Sequence, residues 1–188
     1  MAGVIDATAD WEWAGQSTEV HSVTGWRNVM FVAWLRRPTA PAVRELGTIT
    51  GQLLNALGGS TKVSYIHLIP FSLRLPDSEA RAALQEITRD YGQHTACVGV
   101  VVSGSGFWAS AVRGIVTGVQ VIAPKSIDLR IHAQSSELLG WFPREHQLQT
   151  GVAIQGTELL RMIESTTARQ RASLPAARAS SLPPRSVG

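Results

Sequence analysis

The feature that most restricts the fold is an uninterrupted apolar run at residues 95–103. Between Thr95 and Ser103 every residue is alanine, cysteine, glycine or valine. Such continuous runs are typical of strands in parallel sheets that helices cover on both faces. The run therefore predicts a central parallel strand and places the chain in the α/β class.

The patterns around this run predict alternating strands and helices. Residues 17–24 and 28–35 are β-forming segments separated by a turn at Gly25 and Trp26, and they predict an antiparallel hairpin. Further strands are expected at 62–69 and 127–132, and helices at about 40–57, 76–91, 107–122, 135–142 and 152–168. The result is a mixed sheet, an N-terminal hairpin followed by βαβαβα, with helices packed on it.

The length of 188 residues suits one domain of this kind. We expect a leader at 1–14, the α/β domain at 15–145, a C-terminal helix within 146–169 and a disordered basic tail at 170–188. Pro143 is expected to end the short helix that begins near residue 135. The net charge of +3 comes mainly from arginines near the C-terminus. Nucleic-acid binding through that tail is therefore only a weak third alternative.

The order of the predicted elements resembles a known fold. It consists of the hairpin at 17–35, the strand at 62–69 before a helix at Pro76, and the later strands at 95–103 and 127–132. It is similar to the STAS fold of the anti-sigma factor antagonists, the SpoIIAA-like proteins. The runs at 75–81 and 102–107 resemble those of a bacterial branch of STAS-like proteins. The resemblance implies a non-enzymatic regulatory module that binds proteins.

In the antagonist branch, a serine or threonine at the start of the helix after the central strand is phosphorylated and so switches partner binding. The corresponding position here is Ser78, which makes it a weak phospho-switch candidate. The residues after it depart from the family pattern, since Glu79, Ala80 and Arg81 stand where small residues and glycine are usual. Two flanking acids would also repel a phosphate. Ordinary helix-start chemistry is the competing interpretation of Ser78.

The turn after the apolar run is a weak candidate for anion binding. Gly104, Ser105 and Gly106 begin a G-x-G-x-x-A pattern that ends at Ala109, between a strand and a helix. A dinucleotide site would place this pattern in the first βα unit and an acid at the end of the next strand. Neither condition holds, which favours a tight structural turn.

The remaining reactive side chains predict no catalytic residue, no metal site and no cofactor. The five histidines lack the spacing of metal ligands, and Cys97 is the single cysteine. Its apolar neighbours predict a buried structural thiol. An uninterrupted apolar stretch of about 18 residues is absent from the sequence, and the first residues do not resemble a signal peptide. We therefore expect a cytoplasmic protein without a membrane span.

The predicted helix at 107–122 is apolar on most sides, with Arg113 and Gln120 as its strongly polar residues. A helix of this kind is either deeply buried or covered by a partner. We therefore expect contact with a protein partner or self-association. The candidate contact residues are Trp11, Trp13, Trp26, Trp108, Val112, Ile115, Val116, Val119 and Trp141. The alternative is a small-molecule or nucleotide-binding protein, or an enzyme, that uses the turn at 104–109.

Overall fold

The computed structural model describes residues 12–71, 73–103, 106–125 and 127–173. The strands in these ranges are β1 (Glu12–Ser17), β2 (His21–Trp26), β3 (Val29–Trp34), β4 (Val63–Ile69), β5 (Thr95–Val102) and β6 (Asp128–His132). The helices are α1 (Ala40–Ala56), α2 (Ser78–Tyr91), α3 (Gly106–Ile122), α4 (Phe142–Thr150) and α5 (Gly156–Ser173). Two short 3₁₀ helices span Gly92–His94 and Ser135–Gly140.

The six strands form one sheet in the order β1-β2-β3-β4-β5-β6. The pairs β1–β2 and β2–β3 are antiparallel, and every later pair is parallel. The apolar run forms β5, which pairs with β4 on one side and β6 on the other. The predicted mixed sheet with packed helices is therefore confirmed, and the apolar run forms an interior strand beside the edge strand β6.

Alternate residues of each strand point to opposite faces of the sheet. On one face, which we call the α3 face, Val32, Tyr65 and Val98 lie under α1, α2 and α3. On the other, which we call the α5 face, Phe31 and Val101 pack among side chains of α4 and α5. Both faces are thus covered, as the continuous apolar sequence of β5 requires.

The N-terminal part differs from the prediction in its strand boundaries. Gly25 and Trp26 belong to β2, and the turn lies at Arg27, which has a φ of 51°. Trp26 pairs with Val29 and is fully buried, so its burial extends the strand beyond the predicted turn. Strand β1 overlaps the predicted leader and was not predicted, because its short, polar sequence carries little β-propensity.

The C-terminal part also required correction. Pro143 lies in the first turn of α4 instead of ending a helix, because proline lacks an N–H and the first helical turn leaves that group unbonded anyway. Helix α5 extends through residues 170–173 of the predicted tail. Gln170 is buried there, and its side chain donates a hydrogen bond of 2.6 Å to the carbonyl of Trp34. Residues 174–188 lie outside the described ranges.

Candidate functional site

An apolar cavity lies on the α3 face, between α2, α3 and the sheet. Its volume is about 190 Å³. Its wall includes Ile87 of α2, Val116 and Val119 of α3, and Val98 and Val100 of β5. These residues are the apolar faces of two amphipathic helices and the β-branched face of a central strand. The cavity therefore forms where the sequence provides core-type side chains but the helices do not close onto the sheet.

Both ends of α3 are attached to neighbouring segments. At the first end, the indole N–H of Trp108 donates to the carbonyl of Leu73 at 2.6 Å, and its ring meets Phe71 edge-on. At the other end, Gly92 lies against Pro124, so close that a Cβ on Gly92 would be 2.7 Å from the proline ring. These contacts place α3 over the sheet while leaving space beneath its middle.

The middle of α3 is amphipathic. Val112 is buried, and Ile115, Val116 and Val119 are half-buried on the wall of the cavity. The outer side carries Arg113 and Gln120 as well as small residues that are exposed, namely Ser110, Gly114, Thr117 and Gly118. Most of the apolar residues of this helix therefore face the protein's own cavity, and contact with a protein partner stays a prediction.

Polar groups are few in the cavity wall. His67 lies on β4, and its Nδ1 accepts a hydrogen bond of 3.4 Å from the indole N–H of Trp34. Burial lowers the pKa of His67 from 6.5 to about 4, so the ring is neutral at physiological pH. Burial also raises the pKa of the Tyr65 hydroxyl to about 12. Arg74 is the charged lining residue, and it is exposed. The cavity is thus suited to uncharged, mainly apolar molecules.

A second polar cluster is sealed within the α5 face. The Ser64 hydroxyl lies 2.8 Å from His146 Nδ1 and 3.3 Å from the Cys97 sulfur, and all three residues are fully buried. Burial lowers the pKa of His146 to about 4 and raises that of Cys97 to about 12. The predicted buried thiol is confirmed. A serine next to a histidine resembles a nucleophile and its base, but this pair has no access to substrate.

The tryptophans predicted as contact residues have different environments. Trp26 is fully buried, and Trp141 is 8% exposed with its N–H donating to His132 at 2.7 Å. For these two, the expectation of an exposed docking residue is corrected. Trp13 and Trp108 are half-buried against the apolar core of the α3 face. Trp11 lies outside the described residues.

Ser78 is the exposed first residue of α2. The helix is capped by Asp77, whose carboxylate accepts a hydrogen bond of 2.9 Å from the Ala80 N–H. The same carboxylate pairs with Arg37 at 2.8 Å. Asp77 therefore performs the capping that the sequence analysis considered for Ser78. Phosphorylation of Ser78 stays a prediction.

The predicted anion site lies at the start of α3. Gly104 and Ser105 are outside the described residues, and Gly106 begins the helix with a φ of 77°. The positive φ agrees with the predicted tight turn, since glycine tolerates that conformation. Anion binding at this turn stays a prediction.

The sequence singled out Val112, Ile115, Val116 and Val119 of the cavity wall as contact residues, but it did not predict His67 or the cavity itself. The available signal was the position of His67 in its strand. It shares a strand face with Val63, Tyr65 and Ile69, so the alternation of β4 places an imidazole among core side chains. Only the packing shows whether such a histidine contacts protein atoms or open space.

The described ranges contain neither a cluster of metal ligands nor a membrane-spanning helix. Within residues 12–71, 73–103, 106–125 and 127–173, no group of three or more His, Cys, Asp or Glu side chains is placed to hold a metal ion. Across those same ranges, the helices are too short or too polar to cross a bilayer.

Comparison with known proteins found similar chains among solved structures. The chain is similar to an uncharacterized protein from the DUF3478 family with a SpoIIAA-like fold, from Shewanella loihica PV-4. The two are 15% identical, the match covers 68% of this chain and 98% of that one, and the TM-score is 0.43. No family model matches the sequence, and no curated protein does.

Proposed function

We propose that this protein binds a small, mainly apolar molecule in the cavity between α2, α3 and the sheet. The observation that carries the proposal is the partial accessibility of Val98 and His67, which lie in central strands under a layer of helices. Side chains at such positions are normally sealed by packing. Here they line about 190 Å³ of open space. A dry apolar cavity of about 150 Å³ is enough to bind benzene.

The apolar wall of the cavity supports a binding role. The cavity is partly open, so this wall is in contact with solvent, and an apolar ligand that covers it removes the surface from water and adds dispersion contacts. Each Å² of apolar surface removed from water contributes about 25 cal/mol. Scaling from benzene, the space suits a molecule of roughly eight non-hydrogen atoms.

The regulatory, protein-binding role expected from the sequence stays a prediction with weaker support. Its main argument was the apolar surface of α3, much of which faces the cavity. The exposed large apolar residues in the described ranges are Phe71, Val121 and Leu148, which lie in the loop after β4, in α3 and in α4. Single exposed apolar side chains are common on soluble proteins and do not by themselves indicate a docking surface.

The test uses ethylbenzene, which has eight carbon atoms, as an apolar probe. Titration followed by two-dimensional amide NMR is expected to shift resonances of α3, β4 and β5. The melting temperature should rise with probe concentration, because the ligand binds only the folded state. Val116→Phe fills the cavity and should abolish both effects.

The matched control is Val121→Phe, the same substitution on the exposed side of the same helix, where the side chain is 81% exposed. This variant should bind ethylbenzene like the unaltered protein. Binding that survives in Val116→Phe, or that is lost equally in Val121→Phe, would contradict the proposed location. Failure of the unaltered protein to bind ethylbenzene would contradict the proposed function.

A further inference from the structure

We propose that His67 holds the ligand's polar end, and that the ligand carries an uncharged oxygen acceptor such as a carbonyl on its apolar body. This inference rests on the proposed function, because it needs the cavity to bind a molecule. It adds a chemical class of ligand and an orientation. The supporting observations are the tautomer of His67, the free position of its second nitrogen and the placement of charge around the cavity.

Trp34 sets the tautomer of His67. The indole N–H can only donate, so Nδ1 of His67 must present a lone pair to it. A neutral imidazole then carries its proton on Nε2. The ring lies between Trp34 and Tyr65, with its centroid 6.4 Å from each and nearly parallel to both, which limits its rotation. His67 is therefore a fixed hydrogen-bond donor through Nε2.

The donor on Nε2 has no protein acceptor. Within the described part of the chain, the hydrogen bond from Trp34 is the one that the His67 ring makes. The residue lines the cavity, and its surroundings there are mainly apolar. A ligand that enters the cavity displaces water from this donor, and leaving the donor without an acceptor is then unfavourable. An acceptor oxygen on the bound molecule removes this cost.

Charge around the cavity favours an uncharged ligand. Arg74 is the single charged residue among the lining residues of the described chain, and it is exposed, so a carboxylate placed at His67 would lack a buried cation. Burying an unpaired carboxylate is far more costly than burying a carbonyl. A ketone, ester or amide oxygen accepts the Nε2 proton without that cost.

The test compares ethylbenzene with acetophenone, which has the same carbon skeleton and a carbonyl oxygen. Dissociation constants for both are measured by NMR titration in the unaltered protein and in His67→Phe. The ratio Kd(ethylbenzene)/Kd(acetophenone) is expected to fall by about three- to tenfold in His67→Phe, since one neutral hydrogen bond is lost. Benzoate is the anionic arm and should bind more weakly than acetophenone.

A second measurement does not depend on whether the variant folds. Nitrogen-15 chemical shifts of His67 in the unaltered protein should show a protonated Nε2 and a bare Nδ1, and the Nε2 signal should move on addition of acetophenone. A proton on Nδ1, an unchanged ratio in His67→Phe, or tighter binding of benzoate would overturn the inference alone. If neither ethylbenzene nor acetophenone binds, the proposed function and the inference both fail.

Discussion

On the α5 face, Leu159, Met162 and Ile163 are 0%, 2% and 1% exposed, whereas on the α3 face Ile115 and Val116 remain half-buried above a cavity. Both helices present apolar side chains to the same sheet. The two helices differ in how they are held. Helix α5 packs directly on the strands, whereas α3 is held by contacts at its two ends. The α5 face is thus packed as a core, whereas the α3 face is packed under α1 and has a cavity beneath α3.

The two faces differ in where their polar groups lie. On the α5 face, Ser64 pairs with His146 and Thr24 with Thr166 at 3.1 Å, and His146 Nε2 is sealed in the core without a hydrogen-bond partner in the described chain. On the α3 face, the Nε2 donor of His67 has no protein acceptor in the described chain either, but His67 lines the cavity. A polar group sealed in a core cannot reach a ligand, whereas His67 is available to one.

The largest expected effect is the pH dependence of stability. His67 and His146 have pKa values of about 4 in the folded protein, below their ordinary value of 6.5. Between these pH values the unfolded chain binds more protons than the folded one, so the free energy of unfolding falls as the pH falls from 6.5 to 4. A fully buried histidine contributes up to about 3 kcal/mol to this loss. Urea denaturation at a series of pH values measures it.

The same experiment probes both faces. His146→Gln and His67→Phe should each flatten the pH profile by a similar amount, because the pKa of both histidines is about 4 in the folded protein. The other ionisable groups are common to all variants and cancel in the comparison. A much smaller change in His67→Phe would mean that water reaches His67 through the cavity and that its pKa lies closer to 6.5.

A smaller effect comes from enlarging one residue on each side of the same strand. Val101 is 5% exposed on the α5 face, and Val98 lines the cavity on the α3 face. Val101→Phe should lower the free energy of unfolding by about 1–3 kcal/mol, because a tightly packed core has no room for the ring. Val98→Phe should change it by less than about 1 kcal/mol. Equal losses in both variants would show that the cavity does not exist in solution.

The substitution Gly99→Ala adds a single methyl group to the α5 face and tests how tightly that face is packed. A Cβ at this position would lie 2.6 Å from a methyl carbon of Leu138 and 3.5 Å from the Phe142 ring. Both residues are fully buried and have little room to move. We expect Gly99→Ala to destabilise the protein by about 1–2 kcal/mol in thermal and chemical denaturation. A neutral result would indicate that Leu138 adapts and that the α5 face is looser than its burial suggests.

The sequence was sufficient for the sheet and for the helices with strong periodicity. The apolar run predicted β5, and the helical spacing of apolar residues predicted α1 and α2, with limits close to those observed. These patterns are informative because the positions of the apolar residues reflect which side chains are buried. The limits of β1 and α5 were not predictable in this way. They depend on pairing with β2 and on the distant hydrogen bond from Gln170 to Trp34.

The candidate site was predictable only in its parts. Val112, Ile115, Val116 and Val119 were recognised as an apolar surface, but the sequence does not show whether a partner or the protein's own sheet lies opposite them. Whether a cavity forms depends on how closely the helices pack on the sheet. Valines in a closed core and valines in a cavity wall follow the same sequence pattern. His67 is a polar residue among the mainly apolar side chains that β4 directs to this face, which is a local sign that the face differs.

The smallest expected effect concerns the outer side of α3. A Cβ on Gly114 would meet no atom within 4 Å, so alanine fits there without rearrangement. Glycine within a helix is less stable than alanine by about 0.5–1 kcal/mol, and Gly114→Ala should stabilise the protein by that amount. If α3 must bend away from the sheet to admit a ligand, the stiffer helix should also slow ethylbenzene exchange, as measured by NMR line shapes, with little change in Kd. Faster exchange, or a loss of stability, would mean that Gly114 is packed against something and that the outer side of α3 is not free.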